Sequence, residues 1–272
     1  MNNPQGDLRS EIYQAFHQDL HHDALRDQEE VNRHSAEVIL RLLFQHYQPQ
    51  SILDVGCGIG TWLSAARQLG VSDYLGIEGA WLDRNLARID TQRILQFELE
   101  QSFDLQRRFD LVMCIEVAEH LRSEAAPALV ESLVRHGDVV LFSAAIPMQG
   151  GHHHVNEQFP DYWNEIFQRF GFRVVDCIRP AIWKDGGILW WLRQNVMLFV
   201  KRELAEGSGP FASLVDKPGP LSLVHPAALL TKLQASQAVA QQYQKLCEVL
   251  ASGNTFKVVR QPTGEFALTR TS

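Results

Sequence analysis

Between Ser51 and Lys201, seven apolar runs of strand length alternate with amphipathic stretches, and this alternation restricts the possible folds more than any other feature of the chain. The runs are Ser51 to Val55, Asp73 to Ile77, Ile94 to Glu98, Phe109 to Ile115, Asp138 to Ser143, Phe172 to Ile178 and Asn195 to Lys201. Strands that are apolar on both faces need cover on both, and a helix between two strands returns the chain to its starting end. The pattern therefore predicts an α/β fold with a mostly parallel seven-stranded sheet. The last run follows a polar and aromatic insertion, Pro180 to Arg193, with no helix assigned to it, so it is expected to enter antiparallel as an edge hairpin.

The flanks have a different period. Ile12, Phe16 and Leu20, then Val38, Ile39, Leu42 and Leu43, mark two leading helices. Gly207 to Pro220 reads as a linker. Pro226 opens a helix whose stripe of Leu229, Leu233, Val239, Tyr243, Leu246 and Leu250 stops at Gly253 and Asn254, and a Pro262-Thr263-Gly264 turn follows between two short strands. The expected organisation is residues 1–48 as N-terminal helices, 49–202 as the α/β domain, 203–225 as linker, and 226–272 as a C-terminal helix and hairpin. The apolar stripe of that helix must be buried somewhere, either on the domain or in a homodimer.

Of 272 residues, 45% are hydrophobic and 21% charged, which excludes a disordered or collagen-like chain. Met1 to Ser10 has no signal-peptide pattern, and no apolar run nears the roughly 18 residues of a membrane span, so a cytoplasmic location without membrane insertion is expected. Cys57, Cys114, Cys177 and Cys247 are widely spaced and read as reduced thiols. The first 200 residues hold 17 basic and 27 acidic side chains, a balance that disfavours nucleic acid as partner. Eleven histidines are many for such a chain, and His152, His153 and His154 stand in a row.

Ser51-Ile-Leu-Asp-Val-Gly-Cys-Gly-Ile-Gly-Thr-Trp-Leu is a buried strand, then Gly56, Gly58 and Gly60, then a helix start. Glycines there allow a tight turn and let a ligand lie against bare backbone at a helix N-terminus. A dinucleotide fingerprint would carry glycine or alanine at position 61, where Thr stands. The next strand, Tyr74-Leu-Gly-Ile-Glu-Gly, ends in Glu78, about 20 positions after the loop, where a carboxylate can accept both hydroxyls of a ribose diol.

This segment resembles the first motif of class I S-adenosylmethionine-dependent methyltransferases, and the resemblance runs from about Pro49 to Lys201. It implies a Rossmann-like sheet and S-adenosyl-L-methionine as methyl donor. It places Asp54, Gly56, Cys57, Gly58 and Gly60 around the donor, Glu78 and Gly79 at its ribose, Glu98 and Leu99 near its adenine edge, and Glu116 at the end of the fourth strand. For Trp81 two readings stand: cover for the adenine, or packing beneath a loop.

After that fourth strand the chain reads Glu116-Val-Ala-Glu119-His120. A helical turn starting there would set positions 116, 119 and 120 on one face, and two carboxylates packed with an imidazole call for a cation between them. The loop after the fifth strand, Ile146 to Pro160, carries the histidine run to the same edge of the sheet. Glu-x-x-Glu-His followed by a later histidine resembles the metal site of small-RNA 2′-O-methyltransferases and the matching segment of quinone-biosynthesis O-methyltransferases. The resemblance implies Mg²⁺ or Mn²⁺ on Glu116, Glu119, His120 and His154. His154 is chosen because it precedes Val-Asn-Glu-Gln-Phe-Pro-x-Tyr-Trp, a segment similar to that of bacterial methyltransferases found with glycan and natural-product genes; His152 and His153 are then accessory. The bland readings are a helix cap at Glu119 and His120 and a solvated histidine loop.

The expected activity is metal-assisted O-methylation of a small-molecule diol, a sugar or natural-product intermediate, with His120 or His154 accepting the proton. Two alternatives are a metal-independent N- or C-methyltransferase with a histidine base, and a non-catalytic S-adenosylmethionine-binding assembly protein. Phe159, Tyr162, Trp163, Trp183, Trp190 and Trp191 either stack on substrate or close the core.

Overall fold

The computed structural model describes residues 23–214, 220–251, 256–260 and 266–270. The chain divides into two compact units, Met1–His225 and Pro226–Ser272. The first expected helix, with His17, His21 and His22, and the Pro262–Gly264 turn lie outside the described residues.

The first unit opens with helix α1 (Asp23–Phe44). There follow β1 (Ser51–Val55), α2 (Thr61–Gln68), β2 (Asp73–Glu78), β3 (Ile94–Gln96) and β4 (Leu111–Ile115), then α3 (Ala126–His136), β5 (Val139–Ser143), α4 (Pro160–Arg169) and β6 (Phe172–Val175). Two short helices, α5 (Ile178–Ile182) and α6 (Trp190–Asn195), precede β7 (Met197–Lys201), and α7 (Arg202–Ala205) comes after it.

All seven expected strands form one sheet, in the order β3-β2-β1-β4-β5-β7-β6. β7 runs antiparallel, as expected, but it sits between β5 and β6, so β6 is the outermost strand. The insertion read as irregular contains α5 and α6, whose five and six residues are too short to give a clear helical period. The third strand stops at Gln96, leaving Glu98 and Leu99 in the turn beyond it.

Both faces of the sheet are covered, and the period of two along each strand assigns side chains to faces. Ile52, Leu111, Met113, Leu141 and Leu198 point into one core with Ile39, Leu40 and Leu43 of α1 and Leu63 of α2. Leu53, Val55, Val112, Cys114, Phe142 and Phe199 point into the other, with Leu129, Val130 and Leu133 of α3 and Phe167 of α4. Phe167 stacks on Phe199 with ring centroids 3.9 Å apart. Trp163 is 1% exposed and packs on Phe142, so it belongs to this core.

The stretch expected as linker is partly packed. Phe211 is fully buried, with its ring 5.4 Å from that of Tyr47. The buried Arg179 is held by both Asp176 carboxylate oxygens and donates to the Leu221 and Gln194 carbonyls. The second unit contains α8 (Pro226–Ala251) and an antiparallel pair, β8 (Phe256–Arg260) and β9 (Phe266–Arg270). Leu229, Leu233, Val239 and Tyr243 are exposed on α8. Among the described residues, no helix is long and apolar enough to cross a membrane.

The strand order reverses between β1 and β4, whose neighbours lead off in opposite directions. In an open α/β sheet the crevice at the carboxyl ends of such a strand pair is where ligands gather. The glycine loop leaves β1 there, and Glu116 leaves β4 beside it.

Candidate functional site

The glycine loop is built on left-handed backbone. Gly56, Gly58 and Gly60 have φ of 77°, 54° and 85°, a region costly for residues with a Cβ. The Gly56 and Cys57 amides donate to the Ile77 carbonyl at 2.8 and 3.0 Å, folding the loop back over β2. A Cβ on Gly56 would stand 2.4 Å from Val117 Cγ2, so bare backbone is required on steric grounds as well.

Glu78 closes the loop. Its Oε2 accepts from the Gly58 amide at 2.6 Å, and its Oε1 accepts from Gly79 at 2.8 Å. Burial raises its pKa, and these two amides, together with a hydrogen bond from Trp81, pull the other way. The Trp81 ring lies against Gly79, where a Cβ would come within 2.2 Å of it, so in this structure Trp81 covers the Gly79 backbone. Thr61, at the position that departs from the dinucleotide fingerprint, donates to Glu29 of α1 at 2.6 Å, and Arg88 pairs with the same oxygen at 2.9 Å. The end of β3 is tied in through the Phe97 amide, which donates to the Glu78 carbonyl at 3.0 Å; beyond it Leu99 is buried and Glu98 is exposed.

Asp54, 2% exposed at the end of β1, has its pKa pushed up to about 8 by burial and by the Glu78 carboxylate. Because the folded value lies above the ordinary 3.8, the folded protein holds a proton that the unfolded chain gives up. Its contribution to stability is thus complete below pH 4 and is lost as pH rises toward 8. Thermal unfolding of the ligand-free protein is expected to show a Tm that falls between pH 5 and 8, and Asp54→Asn is expected to flatten that slope. An unchanged slope in the variant would refute the assignment.

Glu116 follows β4 with φ of 53°, and its amide donates to Ser143 of β5 at both the carbonyl (3.0 Å) and Oγ (3.1 Å). Only Ala118–His120 forms a 3₁₀ turn, so the shared helical face expected for residues 116, 119 and 120 does not form. The Glu116 carboxylate instead accepts from Asn195 Nδ2 at 3.2 Å and from Gln149 Nε2 at 3.4 Å. Gln149 in turn accepts from Asn195 and from the buried Gln194. Burial raises the Glu116 pKa, while the Asn195 and Ser143 hydrogen bonds lower it.

The tight cluster consists of Glu119, His120 and His154, whose ligand atoms lie within 4.8 Å of one another. Glu116 is not one of the three. The Glu119 side chain is fully buried, and neither carboxylate oxygen has a hydrogen bond of ordinary geometry. Burial, and then the neighbouring Glu116 charge, push its pKa far above the usual carboxylate range. Burial and the nearby His154 push His120 down to about 4, so its ring is neutral at pH 7.

The histidine loop is stitched onto this turn. The Val155 and Asn156 amides donate to the Glu119 carbonyl at 2.9 and 3.0 Å, and Gln158 donates to Ala145 at 3.1 Å. His154 is thereby set edge-on to His120, with ring centroids 4.9 Å apart. Its Nδ1 lies 2.9 Å from Glu157 Oε1. His152 and His153 contact each other and are exposed, outside the cluster. Of the aromatic residues, Phe159 is exposed, Trp183 packs on His225, and Trp190 meets Trp191.

Glu157, Gln149, Gln194 and Asn195 were not singled out from sequence. Glu157 follows His154 by three positions inside a quoted motif, which was a usable signal. Asn195 lies 79 residues from Glu116 and reads locally as the start of a strand, which was not.

A strand-order reversal, a glycine loop closed by an acid on the next strand, and a polar cluster on the neighbouring strand ends thus share one edge. Residues 28–176, more than half of the chain, match the family model described as a methyltransferase domain. The chain belongs to that methyltransferase family. Its sheet is the Rossmann-like one of class I S-adenosylmethionine-dependent methyltransferases. No curated protein matches the methyltransferase.

Among solved structures it is similar to DesVI of Streptomyces venezuelae, with 16% identity and a TM-score of 0.52 over 68% of this chain and 98% of that one. It also matches magnesium protoporphyrin IX methyltransferase of Synechocystis PCC 6803 with 15% identity and a TM-score of 0.48, over 66% and 87% of the two chains. The sugar N-methyltransferase KedS8 of Streptoalloteichus sp ATCC 53650 matches with 18% identity and a TM-score of 0.46, over 62% and 87%. At 16% identity the likeness to DesVI is one of fold.

Proposed function

We propose that the methyltransferase is a divalent-metal-assisted O-methyltransferase acting on a hydroxyl of a small-molecule diol, such as a sugar or natural-product intermediate. The observation that carries this reading is the Glu119 carboxylate, buried beside two imidazoles with no hydrogen bond of ordinary geometry and close to the Glu116 carboxyl. A buried carboxyl in that state is costly unless a proton or a cation meets it. One carboxylate and two imidazoles make a mixed oxygen and nitrogen set that fits Mn²⁺ better than Mg²⁺, whose preference is for oxygen, and three such ligands leave coordination positions for Glu116, water or substrate. Glu119, His120 and His154 would hold the ion, and Glu116, fixed by Asn195 and Gln149, stands next to Glu119. When bound, such an ion supplies Lewis acidity to a substrate hydroxyl.

The donor is assigned to the glycine loop: Asp54, Gly56, Cys57, Gly58 and Gly60 beneath it, Glu78 and Gly79 at the ribose, Trp81, Glu98 and Leu99 toward the adenine, and Glu116 at the β4 end. S-adenosylmethionine supplies an electrophilic methyl group, and the chain supplies alignment. The hydroxyl proton passes to a His120 or His154 ring that is left off the metal, or to water when both rings are ligands, while the oxygen bonds to the methyl carbon and the carbon–sulfur bond breaks with its electron pair going to sulfur. The acidic balance of the first 200 residues favours a small substrate over nucleic acid.

Excess chelator is expected to abolish methyl transfer, with Mn²⁺ or Mg²⁺ restoring it in an assay of S-adenosylhomocysteine release. Full activity in chelator would instead favour a second reading, a metal-independent enzyme with His154 as base, for which the Glu157 contact at Nδ1 is the supporting observation. Homodimerisation through α8 is proposed from its exposed Leu229, Leu233 and Tyr243, and light scattering measures it directly.

A further inference from the structure

We infer that Glu157 is a positioning residue for His154: it holds the imidazole by Nδ1, so that Nε2 is the nitrogen that acts on ligand or substrate. The inference rests on the reading that His154 belongs to the site, and it holds for either role of that ring, as metal ligand or as base.

Three observations lead to it. Glu157 Oε1 lies 2.9 Å from His154 Nδ1, with both side chains mostly shielded from solvent. A carboxylate oxygen accepts and cannot donate, so the proton sits on Nδ1 and the lone pair is left on Nε2. The same Oε1 accepts from the Gly150 amide at 2.7 Å, which anchors the carboxylate to the backbone of the histidine loop.

The third observation concerns Nε2 itself. A Cβ on Gly151 would stand 2.3 Å from it, so the loop has no side chain at the one place where a methyl group would crowd that nitrogen. Glu157 therefore occupies Nδ1, while the Nε2 edge meets only the bare backbone of Gly151 and no side chain there. A carboxylate behind an imidazole also strengthens the far nitrogen as a donor of electron density, because positive charge arriving at Nε2 is offset across the ring.

The test has two readouts that do not depend on turnover. The first is side-chain ¹⁵N NMR of the metal-free protein near pH 8, which reports which ring nitrogen carries the proton. Wild type is expected to show His154 protonated at Nδ1. Glu157→Ala is expected to shift it toward the Nε2–H tautomer, and Glu157→Gln, which keeps an acceptor oxygen but no charge, is expected to retain Nδ1–H. A wild-type ring protonated at Nε2, or a tautomer indifferent to Glu157→Ala, overturns the inference.

The second readout is titration with Mn²⁺ alone. Both Glu157 variants are expected to bind about 10-fold to 100-fold more weakly than wild type. Wild-type affinity in both would overturn the inference and leave the metal reading standing. A wild type that binds no Mn²⁺ yet shows the Glu157-dependent tautomer would overturn the metal reading and support Glu157 as the orienting partner of a base. Gly151→Ala is the second variant, since its backbone is not left-handed and the added methyl crowds Nε2 and Cε1 directly; it too is expected to weaken Mn²⁺ binding.

Discussion

Glu119→Gln is expected to cut methyl transfer by about 100-fold to 10,000-fold while raising the thermal stability of the metal-free protein. The activity side follows from charge. Glu119 is the one carboxylate in the cluster of three, and Gln keeps its size and shape without its charge. Lewis-acid assistance is worth several kcal/mol, and each 1.4 kcal/mol is a factor of about ten in rate.

The stability side follows from burial. The wild-type carboxyl is fully buried beside Glu116, and its oxygens make no hydrogen bond of ordinary geometry, so burial and the Glu116 charge force on it at neutral pH a proton that the unfolded chain does not hold. Glutamine is neutral at every pH and removes that cost. Activity within a few-fold of wild type, with normal S-adenosylhomocysteine affinity, would remove Glu119 from the proposed metal site. A lower Tm in the metal-free variant would mean that the carboxyl is better accommodated than its surroundings indicate.

Glu78→Ala is expected to weaken S-adenosylhomocysteine binding by about 100-fold or more in calorimetry. Two effects add. The proposed bond to the ribose diol is lost, and hydrogen bonds to charged groups contribute about 1.5–3 kcal/mol each. The Gly58 and Gly79 amides, which donate to Glu78 at 2.6 and 2.8 Å, also lose their acceptor, so the loop is less firmly held before the donor arrives. Glu119→Gln is expected to leave this affinity unchanged, which separates the two ends of the crevice. A change of less than three-fold in Glu78→Ala would mean that this carboxylate serves the loop and not the ligand.

The α/β sheet was legible because its code is local. Apolar runs such as Ile52 to Val55 and Leu111 to Ile115 must be covered on both faces wherever they fall, and the helices between them leave few ways to connect them. Glycines at 56, 58 and 60 and an acid at 78 are likewise a pattern of spacing along two adjacent segments. The antiparallel β7 was legible from the absence of a long helix before it. Its place inside the sheet was not, because pairing with β5 and β6 is a contact between residues 23 to 61 positions apart.

The polar cluster divides along the same line. Residue types and order, Glu116-x-x-Glu119-His120 and a later histidine, named the candidates, since carboxylates and imidazoles at strand ends are readable one by one. Spacing alone put Glu116 on the face of Glu119 and His120, as an ideal helix would. A left-handed φ at Glu116 breaks that helix at its first residue, and the carboxylate turns to Asn195, an amide delivered by α6 from beyond the sixth strand. In the same way, two backbone hydrogen bonds from Val155 and Asn156 to the Glu119 carbonyl bring His154, and not His152 or His153, within reach of Glu119 and His120. Composition and periodicity carry what each segment must bury, so they specify the sheet and the loop. Which side chain meets which across the crevice depends on long-range hydrogen bonds that have no local period, and these exist only once the chain has folded.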